Sequence, residues 1–95
     1  MIESISISEL LQLKNPVIID IRNVQSYNNN HIPTSINIPV EKILSSPNKY
    51  LNNSTKYYLY CQQGLSSKKI CQILNKMGYH TVNVLGGYEA WILQK

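Results

Sequence analysis

The sequence predicts one α/β domain, residues 1–95, built on a mainly parallel sheet. Three observations carry that expectation. Ninety-five residues supply enough apolar surface for one core and too little for two. Short apolar runs that do not alternate with polar residues recur along the chain, as strands buried on both faces of a parallel sheet require. Segments of helical periodicity separate those runs. Apolar residues make up 43% and charged residues 15%, a balance that suits a soluble globular chain rather than a disordered one.

Ser6-Ile7-Ser8-Glu9 has capping-box spacing and precedes Leu10, Leu11 and Leu13, so a short helix is expected there, stopped by Asn15-Pro16. Val17-Ile18-Ile19 runs apolar into Asp20 as a buried strand. Asn28-Asn29-Asn30 reads as a polar turn, and Ser35 to Ile38 as a weaker strand closed by Pro39. Val40 to Leu44 forms a turn or two of helix that Ser45-Ser46-Pro47-Asn48 breaks. Tyr57 to Tyr60 is an aromatic-rich strand. Ile70, Ile73, Leu74 and Met77 recur at helical spacing before Gly78, which predicts a helix from about Ser66 to Met77. Val82 to Leu85 is a further strand, Gly86-Gly87 a turn, and Tyr88 to Leu93 a last helix.

Nine Lys and Arg against five Asp and Glu give a net charge of +4, but Lys68 and Lys69 are the only adjacent pair. Nucleic-acid surfaces cluster their basic residues, so this dispersed charge points to small anions instead. The first residues lack a basic segment followed by a long apolar run, and no stretch approaches the roughly 20 apolar residues that span a bilayer. A cytoplasmic protein without membrane or nucleic-acid partners is expected. In that compartment Cys61 and Cys71 are read as separate thiols rather than as a structural disulfide.

Chemistry concentrates at Cys61-Gln62-Gln63-Gly64-Leu65-Ser66-Ser67, between a buried strand and an amphipathic helix. The first N–H groups of a helix have no intrahelical acceptor, and the dipole adds about half a positive charge there. A thiol facing these donors is favoured as thiolate, which predicts a depressed Cys61 pKa. Gly64 permits the turn, Ser66 and Ser67 can cap the helix or donate hydroxyl hydrogen bonds, and Lys68 and Lys69 add positive charge. Position alone also allows Cys61 to be a small buried apolar residue. Cys71, inside the helix pattern, reads as a packing residue or a partly exposed thiol rather than a second catalytic group.

In four motifs, the chain resembles the rhodanese homology domain along nearly its whole length. They are Asp20-Ile21-Arg22; His31-Ile32-Pro33 leading into Ile36-Asn37-Ile38-Pro39; the Cys61–Ser67 loop; and Gly78-Tyr79 with Leu85-Gly86-Gly87-Tyr88-Glu89-Ala90-Trp91. The resemblance implies a three-layer α/β/α fold with a five-stranded, mainly parallel sheet of order 1-5-4-2-3. It implies a sulfurtransferase in which Cys61 takes sulfane sulfur from a small anionic donor such as thiosulfate, or from a persulfide. A thiophilic acceptor, cyanide or a thiol, free or on a protein, then removes it. No metal or cofactor is implied, and short members are often monomers. A non-catalytic sulfur carrier or regulatory binding module is the alternative.

Ser66 stands where the commonest loop pattern, Cys-x-x-Gly-x-Arg-Ser, has arginine, which weakens anion binding without excluding sulfur transfer. Phosphatases of related fold use a longer loop ending in a phosphate-gripping arginine, and neither feature occurs here. Asp20 and Arg22 should lie on the same sheet edge as Cys61, where Arg22 either orients an anion or forms an ion pair with Asp20. His31 supports a turn, and Gly86-Gly87 allows close backbone approach. Trp91 and the tyrosines read as core and rim, with Tyr60 a candidate to border the pocket.

Overall fold

The computed structural model describes residues 2–95. Eleven elements follow in chain order: β1 (Ser4–Ile5), α1 (Ile7–Gln12), β2 (Val17–Asp20), α2 (Val24–Asn29), β3 (Ile36–Asn37), α3 (Val40–Ser45), α4 (Pro47–Tyr50), β4 (Lys56–Tyr60), α5 (Leu65–Lys76), β5 (His80–Val84) and α6 (Gly87–Gln94). The strands form one sheet in the order β1-β5-β4-β2-β3, with every pairing parallel. This is the five-stranded α/β fold expected from the sequence. The two edge strands are two residues long, which leaves little open ladder for another chain to join.

Residues of a strand point alternately to the two sheet faces, and that period divides the core in two. On one face Ile19, Tyr57, Leu59 and Cys61 pack with Ile43, Leu51, Ile70, Cys71 and Leu74, beneath α3, α4 and α5. On the other, Ile18, Tyr60 and Val84 pack with Ile7, Leu10, Ile32 and Trp91, beneath α1 and α6. The apolar runs in β2 and β4 lack alternation because both faces are covered, whereas β5 alternates Thr81 and Asn83 with Val82 and Val84 although all four are buried.

The Ser6 capping box forms in full: the Ser6 hydroxyl accepts from Glu9 N–H at 3.1 Å, and the Glu9 carboxylate accepts from Ser6 N–H at 3.1 Å. Three elements lie outside the sequence expectation. β1 is too short to show a pattern. α2 replaces the polar turn of Asn28 to Asn30; it has no buried stripe, and Asn23 starts it by accepting from Ser26 N–H at 2.8 Å. α4 begins at Pro47, because proline without an N–H fits the first turn of a helix as well as it breaks an interior one. Along α5 the buried stripe is Ser67, Ile70, Cys71 and Leu74, while Ile73 and Met77 are about half exposed. Small side chains at 67 and 71 let the helix lie close to the sheet.

Tyr60 differs from its expected place beside the pocket. As the residue before Cys61 it must face the opposite side of the sheet, where it is fully buried. Its hydroxyl accepts from Ile32 N–H at 3.1 Å and meets the Ser35 hydroxyl at 3.2 Å, tying the His31-Ile32-Pro33 segment to the sheet. Tyr60→Phe would leave the Ile32 N–H buried without its acceptor. We expect a loss of about 1–3 kcal/mol in denaturant unfolding, with the alkylation rate of Cys61 unchanged.

Candidate active site

Cys61 follows the last residue of β4, at the carboxyl end of a central parallel strand, where open α/β sheets place their sites. Strand alternation aims its side chain at α5. Its Sγ accepts from Gly64 N–H at 3.1 Å and Ser67 N–H at 3.2 Å, and lies 3.2 Å from the Ser67 hydroxyl oxygen. Burial would push this thiol up; the Ser67 hydroxyl and the N–H groups of Ser67, Gly64 and Gln63 outweigh it and hold the thiol below its ordinary range.

The loop closes because Gly64 adopts φ +91°, in the left-handed region that side chains disfavour. A Cβ there would also stand 2.8 Å from Gly86 N. Gly87, with φ +57°, comes so close that a Cβ would collide with the Cys61 carbonyl. The amides that follow are then in reach: Tyr88 N–H donates to Cys61 O at 2.9 Å and Glu89 N–H to Gln62 O at 3.0 Å. The Gly86-Gly87 turn therefore holds the loop from behind, and the structure shows the steric role expected for it.

Cys61, Gln62, Gln63, Leu65 and Ser66 line a shallow pocket of about 150 Å³. Gln62 also borders an apolar hollow of about 350 Å³ formed with Tyr88, Glu89, Ile92 and Leu93. A hollow of about 370 Å³ is lined by Ile2, Gln72, Asn75 and Lys76, with neither cysteine among them. Gln62, Gln63, Leu65 and Ser66 are exposed on the rim, whereas Gly64 and Ser67 are buried beneath it. Lys68 and Lys69 are exposed on α5. The two serines, alike in sequence, thus divide: Ser67 touches the sulfur and Ser66 faces solvent.

Asp20 and Arg22 share the sheet edge with Cys61 but stand across the sheet from its thiol. Arg22 donates to Asp20 Oδ2 at 2.8 Å and to Oδ1 at 3.1 Å, donates to Asn30 O at 2.7 Å and stacks over Tyr88 at 4.1 Å. The two side chains are 7% and 0% exposed, so the pair is buried. Arg22 reaches the loop through Gln62 Oε1, at 3.4 Å. His31 stacks on Tyr27 and bonds Tyr27 O at 2.8 Å, and His80 pairs with Glu3 at the surface. Cys71 is fully buried against the same core, and burial pushes its thiol up to about 11. Asn83, absent from the sequence reading, receives the Ser67 hydroxyl at 2.6 Å. A lone polar residue inside the apolar run Val82-Asn83-Val84 was the available signal.

Fold and loop together define a parallel α/β domain organised around one cysteine in an anion-favouring turn. The family model of the Rhodanese-like domain matches residues 6–94, and the chain belongs to that family. Among its relatives, the thiosulfate sulfurtransferase GlpE of Coxiella burnetii is 30% identical over 84 residues, covering 87% of this chain and 78% of the relative. The adenylyltransferase and sulfurtransferase uba4 of Ogataea parapolymorpha is 30% identical over 93 residues, 97% of this chain and 24% of that longer protein. A rhodanese-related protein of Thermoplasma volcanium superposes with a TM-score of 0.87 at 30% identity, over 97% of this chain and 92% of the other.

The two thiols should separate by pH. Cys61, with its pKa lowered on folding, should alkylate with a midpoint below the roughly 8.5 of a free thiol, and Cys71 should stay unmodified at that pH. The signs for stability are opposite. The Cys61 contribution is present above its unfolded value and lost as pH falls through its folded one; the Cys71 contribution is lost as pH rises towards about 11. Peptide-resolved alkylation rates across pH check the first statement, and chemical denaturation of Cys71→Ala against wild type across pH 8–11 checks the second.

Proposed function

We propose that the domain is a sulfurtransferase that moves sulfane sulfur from a donor to a thiophilic acceptor through a persulfide on Cys61. The observation that carries this reading is the convergence of Gly64 N–H and Ser67 N–H on Cys61 Sγ, at 3.1 and 3.2 Å. These groups favour the anionic sulfur that both halves of the reaction need.

In the first half, the Cys61 thiolate attacks the outer sulfur of the donor. With thiosulfate the donor's S–S bond breaks, sulfite leaves with the bond's electron pair, and a new S–S bond joins that sulfur to Cys61 as an anionic persulfide. In the second half an acceptor nucleophile attacks the outer sulfur, the Cys61 S–S bond breaks, and the thiolate is regenerated. Cyanide leaves as thiocyanate, and a thiolate leaves as a persulfide. The outer sulfur moves the negative charge one atom towards the rim, where the amides of Leu65 and Ser66 open α5 without intrahelical acceptors. The sulfurtransferase names of the GlpE and uba4 relatives support the same chemistry.

Ser66 bears on the donor. It places no fixed positive charge on the rim, and Arg22 is committed to Asp20, so dianionic thiosulfate gains little beyond backbone donors. A persulfide or another less charged sulfane donor suits this pocket better. Wild type should form thiocyanate from cyanide and at least one sulfane donor, and donor-treated protein should gain one sulfur atom on Cys61. Folded Cys61→Ser matching wild type with every donor, or sulfur found on Cys71 alone, would overturn the proposal. Ser66→Arg should raise kcat/KM for thiosulfate by about tenfold, with persulfide donors little changed.

A further inference from the structure

Asn83 is 1% exposed, on the α5 side of β5, with its amide wedged behind the loop. Its Nδ2 donates to Gly64 O at 3.3 Å, and its Oδ1 lies 2.6 Å from the Ser67 hydroxyl oxygen. Two oxygens at that separation need a proton between them. A carbonyl oxygen has none, so Ser67 supplies it. The reversed amide would set Oδ1 against the Gly64 carbonyl, two acceptors with no proton to share, so the hydrogen-bond network assigns the orientation.

Ser67 has one hydroxyl proton and two neighbours that can take it. While Asn83 holds the proton, Ser67 turns a lone pair towards Cys61 Sγ at 3.2 Å, an arrangement that accepts from a neutral S–H and opposes a thiolate. To help the thiolate, the hydroxyl must rotate towards sulfur. The Asn83 oxygen is then left without a partner in the dry interior, which opposes the rotation.

We propose that Asn83 is a positioning residue that competes with Cys61 for the Ser67 hydroxyl proton, and thereby sets whether Ser67 faces the sulfur as acceptor or as donor. The Ser67 proton stays covalently bound to its own oxygen throughout; the proton lost in forming the thiolate is that of Cys61, released to solvent. The proposal rests on Cys61 as the reactive thiol of the proposed function. Because the thiolate is both attacking group and leaving group, the competition bears on loading and on delivery of sulfur alike.

The test is the pH profile of Cys61 alkylation in Asn83→Val, Ser67→Ala and the double variant, with folding followed by thermal unfolding. The ionisable groups around the loop are kept in all of them: Cys71 in the core on α5, Lys68 and Lys69 on its solvent side, Arg22 through Gln62, and Glu89 through Gln63. Asn83→Val should lower the Cys61 midpoint by about one unit, and the double variant should match Ser67→Ala alone. A loosened loop would act in the opposite direction, since losing the Asn83 bond to Gly64 weakens a donor to the sulfur. A rise or no change in Asn83→Val overturns the proposal, as does a fall that persists without the Ser67 hydroxyl. If Asn83→Val does not fold, Asn83→Ala is read by the same comparison. Failure of the sulfur-transfer reading is separate: wild type would form no thiocyanate while these midpoints still shifted.

Discussion

The site depends on one close approach, that of the Gly64 turn to the Gly86-Gly87 turn. Gly64 at φ +91° brings its own N–H and that of Ser67 round to the Cys61 sulfur, and it can do so because it has no side chain of its own: a Cβ there would stand 2.8 Å from Gly86 N. Gly87 brings the Tyr88 and Glu89 amides under the carbonyls of Cys61 and Gln62. Those two carbonyls lie at the end of a strand and have no ladder partner ahead of them. Pairing them with the start of α6 satisfies buried acceptors and aligns the loop amides in the same stroke. The chemistry at residue 61 is therefore held in place by a turn some 25 residues away in sequence.

Strand alternation does the remaining division of labour. β4 ends Leu59-Tyr60-Cys61, so the thiol faces α5 and the tyrosine faces α1 and α6. Several groups that stiffen the carboxyl edge of the sheet lie on the tyrosine side: the Tyr60 hydroxyl, the buried Asp20–Arg22 pair, and Tyr88 stacked on Arg22. Removing one member of a buried ion pair leaves the other charge unpaired at a cost of about 3–5 kcal/mol, so this side is tightly specified. The side chain of Gln62 crosses from it to the cysteine loop, and Gln63 meets Glu89 of α6.

Much of this was legible in the residues, for reasons that can be named. Buried parallel strands write themselves as unbroken apolar runs, and Val17 to Asp20 and Tyr57 to Tyr60 have little else to be. The capping box of Ser6 and Glu9 is a local interaction, complete within four residues. What could not be read were features that distant contacts create. β1 exists because Glu3 and Ile5 carbonyls meet Asn83 and Leu85 N–H groups, and α2 because Asn23 caps a segment with no buried side chain. The difference between Ser66 and Ser67 is one of helix phase, invisible until the helix start at Leu65 is known. Helical spacing placed Ile73 and Met77 in the buried stripe, and the small Cys71 took that position because the helix lies too close for a larger side chain.

A carrier of sulfur has to solve a problem that a simple nucleophile does not. A thiolate that is stabilised too strongly leaves the persulfide readily but attacks its donor poorly, since nucleophilicity falls with basicity. One that is stabilised too little is protonated at neutral pH and cannot attack. On the proposed reading Cys61 sits between these limits, since the groups that lower its pKa are neutral dipoles, backbone N–H groups and one hydroxyl, and burial and the proposed claim of Asn83 on that hydroxyl oppose them. A fixed arginine in the loop would tighten the hold on an anionic donor and stabilise the thiolate in the same step. On the proposed reading, Ser66 in that place uncouples donor affinity from thiol basicity and leaves the rim open to acceptors that bring little charge of their own.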